Sequence, residues 1–180
     1  MIYCKGWTLR RKFANQPYSE VEAKNLYQNR KPFGVVIERD NKPFCFIDFN
    51  NTFVYVGFLD EYQRLYLAYE FSEKQDNRLF LKDVYYWEFE KETDNKLNLT
   101  WYRFTPEGEC GIENKNYQKR EKVRRYAENK IDVSGLWENY PEFGKYDRII
   151  SIERDIPVIV GANLRVCPTK SPPSGDLRGL

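Results

Sequence analysis

The chain contains no histidine. That removes the side chain most often used as a general acid or base near neutral pH, and the commonest metal ligand. Its four cysteines, Cys4, Cys45, Cys110 and Cys167, are scattered with no C-x-x-C pair. A zinc site would need all four to converge from distant segments, so no metal site is expected. Nucleotide-binding glycine loops and the G-x-S-x-G serine elbow are also missing, which leaves the chain without a common phosphate or acyl-transfer signature. No apolar run approaches the roughly 20 residues that span a bilayer, and no membrane association is expected. The first residues lack both an apolar h-region and a small-residue cleavage site. The reading is therefore a cytoplasmic protein with reduced thiols.

Charge is also modest. The 29 basic and 27 acidic residues leave a net +2. This is too weak a field to make nucleic acid the expected partner, and it is not the strongly acidic profile of a nucleic-acid mimic.

What the chain does have is aromatic side chains. Of its 30 Phe, Tyr and Trp residues, 19 fall between Phe33 and Phe104, in short alternating runs cut by turn signals. Residues 33–37 alternate up to an Asp40-Asn41-Lys42-Pro43 turn. Residues 44–47 are apolar on both faces, and Asn50-Asn51 forms a tight-turn dipeptide before the return over 52–58. Residues 59–71 fit either a helix capped by Asp60 or a strand. The density of Tyr and Phe favours the strand. Further strands are expected over 79–90 and 97–104, with turns at 91–96 and 105–108.

Before this region, residues 2–13 read as one strand. Ser19 and Glu22 form a capping box that starts a short helix, ended by Asn29 and Pro32. After it come a basic segment over 115–130, short strands at 131–133 and 146–154, an aromatic loop over 137–144 and a last edge strand over 156–164. Residues 1–167 are expected to be one β-rich domain, and 168–180 an extended, Pro-rich tail. The fold class is mainly β (a β-rich α+β arrangement): an antiparallel meander forming a curved sheet or lipocalin-like barrel, with one short N-terminal helix.

Few residues step forward as chemistry. The acidic pairs Asp60-Glu61, Glu88 with Glu90, and Glu138 with Glu142 have the residue type for acid/base work, but Glu88 and Glu90 lie on the polar face of their strand. A cysteine nucleophile at Cys4 or Cys110 would need Lys or Arg in place of histidine. No catalytic residue and no cofactor is therefore assigned. The binding candidates are a basic stripe, Arg120, Lys122 and Arg124, sharing one strand face with Tyr126, and the aromatics Trp137 and Tyr140, with Tyr62 and Tyr66 behind them. Arginine and aromatic side chains are the usual anchors of protein interfaces.

Two resemblances add to this. Gly135-Leu136-Trp137 is similar to the G-x-W of lipocalin-like barrels, although there it sits on the first strand. It implies a barrel and names no ligand; a barrel holding a small apolar molecule in an aromatic-lined cavity is the alternative reading of function. The opening Tyr3-Cys4-Lys5-Gly6-Trp7 and the phrase from Trp137 through Tyr140 and Phe143 to Tyr146 and Asp147 resemble small bacterial cytosolic immunity proteins. That likeness spans about 155 residues in size and style. It implies a non-enzymatic protein that binds and neutralises a toxin by occlusion, and it carries over no functional residue.

Overall fold

Alternation of apolar side chains with period two dominates from Phe33 to Phe104, and the chain answers it with strands. The computed structural model describes residues 1–74 and 77–156. Within them lie β1 (Ile2–Thr8), β2 (Phe13–Pro17), α1 (Glu20–Gln28), β3 (Phe33–Arg39), β4 (Lys42–Phe49), β5 (Phe53–Leu59), β6 (Leu65–Glu73), β7 (Arg78–Phe89), β8 (Lys96–Phe104), β9 (Cys110–Asn116), β10 (Glu121–Tyr126) and β11 (Trp137–Asn139). All eleven strands join one antiparallel sheet, ordered β10-β9-β8-β7-β6-β5-β4-β3-β1-β2. β11 pairs with the first residues of β7, Arg78 to Phe80, where β8 does not reach.

The mainly β meander with one helix is what the sequence pattern implied. The barrel form of that expectation is not realised: β2 and β10 end the sheet and do not pair with each other among the described residues.

Register sorts the side chains into two faces, because neighbours on a strand point to opposite sides. One row across the sheet reads Val35, Ile47, Val56, Tyr69, Val84, Tyr102 and Ile112, all in direct cross-strand register. These residues are buried and belong to the main hydrophobic cluster. Helix α1 covers one end of this face, placing Ala23 in the cluster. Ser19 accepts from the Glu22 amide, and the Glu22 carboxylate accepts from the Ser19 amide, so the capping box forms as the sequence indicates.

The same face is closed elsewhere by residues 131–156, which supply Leu136, Tyr146, Ile149, Ile150 and Ile156. Two strands expected here do not form. Residues 131–133 are irregular and lead into a single 3-10 turn at Ser134–Leu136, and 146–154 consists of turns and bends. The reason lies in where these apolar residues go. They pack face-on against the sheet, so their periodicity reports burial on a covering strap and no ladder partner.

The opposite face is covered only in part. β1 and β2 are two strands joined by a turn at Leu9 to Lys12, where one strand was expected; Lys12 has φ of 57°. This hairpin folds over the second face. Trp7 stacks on Phe46 at 6.2 Å between ring centroids, and Ile2 and Ala14 join a small cluster with Cys4, Val36, Phe46 and Leu59. At its tip Lys12 donates to the Tyr62 carbonyl and to Asp94, so the hairpin reaches the turns after β5 and β7. Phe46 lies flat across β5 because Gly57 has no side chain there; a Cβ on Gly57 would stand 2.3 Å from the ring.

For residues 59–71 the strand reading holds from Leu65 onward. Asp60 instead organises a tight turn, accepting from the Tyr62 and Arg64 amides and from the Arg64 guanidinium. The edge strand and tail expected beyond Ile156 lie outside the described residues.

Candidate functional site

From β7 to β10 the second face is not covered by the hairpin, and its side chains form the candidate site. Two cross-strand rows build it. The first runs Glu70, Asp83, Arg103, Gly111 and Tyr126; the second runs Ala68, Tyr85, Trp101, Glu113 and Arg124.

Rings form the floor. Tyr85 stacks between Trp87 and Trp101, with centroids 5.5 and 5.6 Å away and planes nearly parallel. Cations cap the rings: Arg103 lies 4.4 Å from the Trp101 centroid, and Lys96 lies 5.2 Å from that of Trp87. Such contacts orient a guanidinium as well as holding it.

Carboxylates lie beneath the cations. Asp83 is 1% exposed, and its Oδ1 accepts from Trp101 Nε1 at 2.8 Å and from Arg103 Nε at 3.0 Å. Its Oδ2 is 3.2 Å from Lys82 Nζ. Glu113, also buried, accepts from Arg124 Nε at 2.7 Å and pairs with Lys122 at 2.9 Å. Burial works against the ionised form of Glu113, but the hydrogen bonds and charges of Lys122 and Arg124 prevail and hold its carboxyl below the usual range. The acids are therefore shielded, while the Arg103 and Arg124 side chains remain 58% and 56% exposed. Above these two acids the surface presents positive charge and aromatic edges, with the exposed Glu109 and Glu128 lying farther along it.

Two hollows open on it. The larger, about 510 Å³, lies between the ends of β8 and β9 and residues 126–130; Arg103, Cys110, Gly111, Tyr126 and Lys130 are among its lining. The smaller, about 140 Å³, is lined by Trp101, Glu113 and Arg124, and shares Arg103, Gly111 and Tyr126 with the first. Cys110 is an inert wall here, because burial pushes its thiol up to about 11. Cys4 is likewise buried with its thiol raised, first by burial, so neither thiol is poised as a nucleophile. Among the described residues no three His, Cys, Asp or Glu side chains group as a metal site, and no helix is long and apolar enough to cross a membrane.

The sequence candidates divide between the faces. Lys122, Arg124 and Tyr126 stand on β10 and share the open face. Arg120 does not continue their strand; it sits in the β9–β10 turn with φ of 57°. Trp137 and Tyr140 belong to the other face. Trp137 packs on Phe80 at 4.9 Å, and Tyr140 lies against Phe49 and Tyr27, beneath Arg30. Tyr66 is half-buried against the main cluster, and Tyr62 lies under Arg64 in its turn.

Five of the six acids in these pairs are occupied locally: Asp60 by Arg64, Glu88 by Asn98, Glu90 by Asn95, Glu138 by Arg154 and Glu142 by Lys145, while Glu61 is exposed in its turn. Asp83, Trp101, Arg103 and Glu113 are site residues that sequence reading passed over. Their shared face follows from registers across three strands, which alternation within one strand does not reveal.

Compared with known proteins, the chain matches no family model, no curated protein and no solved structure.

Proposed function

We propose that the protein is a non-enzymatic binding protein of the immunity kind, cytoplasmic, that engages a toxin and occludes it through the open face of β7–β10. The observation that carries this reading is the Trp101, Arg103 and Tyr126 cluster, with Tyr126 71% exposed and Arg103 held by a buried carboxylate. Exposed aromatic and arginine side chains in a pre-oriented group are what a protein interface uses as anchors. The resemblance of the chain to immunity proteins supports the biological setting. A small apolar ligand fits this surface less well, because the larger hollow is rimmed by Arg103, Glu109, Glu128 and Lys130.

Growth rescue tests the reading. The gene next to this one should encode a large exported toxin, whose C-terminal domain arrests growth when expressed alone. Co-expression of this protein should restore growth, and a Trp101→Ala/Tyr126→Ala variant that melts at the wild-type temperature should not. An unrelated neighbouring gene together with no rescue would reject the assignment.

A further inference from the structure

Arg103 and Arg124 are held in the same way. Each donates Nε to a carboxylate beneath it, Asp83 or Glu113, and neither has a Nη hydrogen bond to any described residue. Pinning Nε fixes the plane of a guanidinium and leaves its two terminal nitrogens as a free fork. That edge matches the two oxygens of a carboxylate. The forks also belong to one surface. Arg103 lines both hollows, Arg124 lines the smaller, and Gly111 and Tyr126 lie between them. In register Arg103 faces Gly111 and Tyr126, whereas Arg124 faces Glu113 one step along the sheet. Two strand spacings and one two-residue step put their Cα atoms roughly 12 Å apart.

We propose that Arg103 and Arg124 form a paired clamp for an acidic, extended segment of the protein partner, one carboxylate to each fork, with an apolar or aromatic side chain between them against Tyr126 and Trp101. This rests on the protein-binding reading above and names the chemistry of the partner. The charge pattern supports a peptide. At the smaller hollow, which both arginines line, the acid is Glu113, buried and already paired, as is Asp83 under Arg103, and Lys122 adds positive charge. The exposed Glu109 and Glu128 line the larger hollow and place the carboxylates of the partner at the smaller one. An extended chain advances about 3.3 Å per residue and turns alternate side chains to one side. Carboxylates four residues apart therefore share a face and span about 13 Å, near the roughly 12 Å between the Arg103 and Arg124 Cα atoms, with the residue midway on the same side.

The probe is the synthetic peptide acetyl-Glu-Gly-Phe-Gly-Glu-amide, compared with its Gln-Gly-Phe-Gly-Gln counterpart and with a single-stranded ten-nucleotide DNA, each titrated into the full chain. Binding is read from the amide NMR shifts of Gly111, Glu113, Tyr126 and Ala127. The Glu peptide should shift these amides saturably, and the Gln peptide should bind at least tenfold more weakly. Arg103→Gln and Arg124→Gln should each weaken the Glu peptide about tenfold, as expected for a lost charge-assisted fork, while Lys145→Gln should leave it unchanged. Equal binding of the Glu and Gln peptides, indifference to both arginine variants, or tighter binding of the DNA at the same amides would overturn the clamp. Growth rescue separates this from the broader reading. If Arg103→Gln/Arg124→Gln still protects fully, the clamp falls and protein binding stands; if wild type gives no rescue, the broader reading falls.

Discussion

The Arg154 guanidinium meets the Glu138 carboxylate at 3.0 Å with both side chains at least nine-tenths buried, and it lies over the rings of Tyr69 and Phe71. Glu138 stands on β11 and Arg154 near the end of the strap, so this pair fastens the end of the strap to β11, which pairs with β7. Tyr69 adds a second tie by donating to the Ile152 carbonyl at 2.7 Å.

Removing one partner of a buried ion pair leaves the other charge without compensation, which typically costs about 3–5 kcal/mol. Glu138→Gln strands the buried Arg154 and should therefore lower the stability of the fold by that order in urea denaturation. Arg154→Met should cost less, because Glu138 keeps Arg148 at 3.1 Å. The double variant Arg154→Met/Glu138→Gln should recover a good part of the loss. Equal stability of wild type and Glu138→Gln would show that the strap is not held by this pair.

A methyl group on Gly57 cannot enter without moving Phe46, which is wedged between Trp7 and Tyr55. Overfilling a packed cluster typically costs about 1–3 kcal/mol. Gly57→Ala should lower the melting temperature, and Gly57→Ala/Phe46→Leu should restore part of it. The hairpin β1–β2 would feel the change most, so its amides should exchange faster in the single variant.

Asp48 lies on the second face beneath the hairpin, with its Oδ1 close to Gly6 and Gly34, and burial raises its carboxyl to about 6. Its unfolded value is that of an ordinary aspartate, so between about pH 4 and 6 the folded chain binds the extra proton. Stability from this group is then full at low pH and is lost as pH rises through about 6, by up to about 3 kcal/mol. Asp48→Asn should be more stable than wild type at pH 8, and the difference should shrink on acidification to pH 4. A difference that does not depend on pH would remove Asp48 as its source.

Cys4, Cys45 and Cys110 are all free and buried. Burial raises each thiol, that of Cys45 to about 12. Iodoacetamide should leave all three unmodified in the native protein at pH 8, as read by peptide mapping, and should alkylate all three in 6 M guanidinium, a standard unfolding condition. Rapid native labelling of Cys110 would mean that the larger hollow reaches the thiol.

Asp83 carries the geometry of the open face, because one oxygen of its carboxylate receives both Trp101 and Arg103. Asp83→Asn should free the Arg103 side chain and weaken partner protection while the sheet remains folded. Unchanged protection, together with unchanged Arg103 side-chain NMR signals, would detach the buried acid from binding.

Much of the architecture was present in local sequence. Alternating aromatics from Phe33 to Phe104, the Asn50-Asn51 turn and the Ser19–Glu22 box act over a few residues, and each produced the element it implied. Tertiary structure decided the rest. Whether the sheet closes depends on how its distant edge strands meet, and β2 and β10 do not. Whether the apolar residues from Tyr146 to Ile152 become a strand depends on a free sheet edge, but they settle on the core face. Lys122, Arg124 and Tyr126 were legible as a stripe because one strand sets their spacing. Their partners Glu113, Trp101, Arg103 and Asp83 come from three other strands, and only the register that packing selects places them side by side.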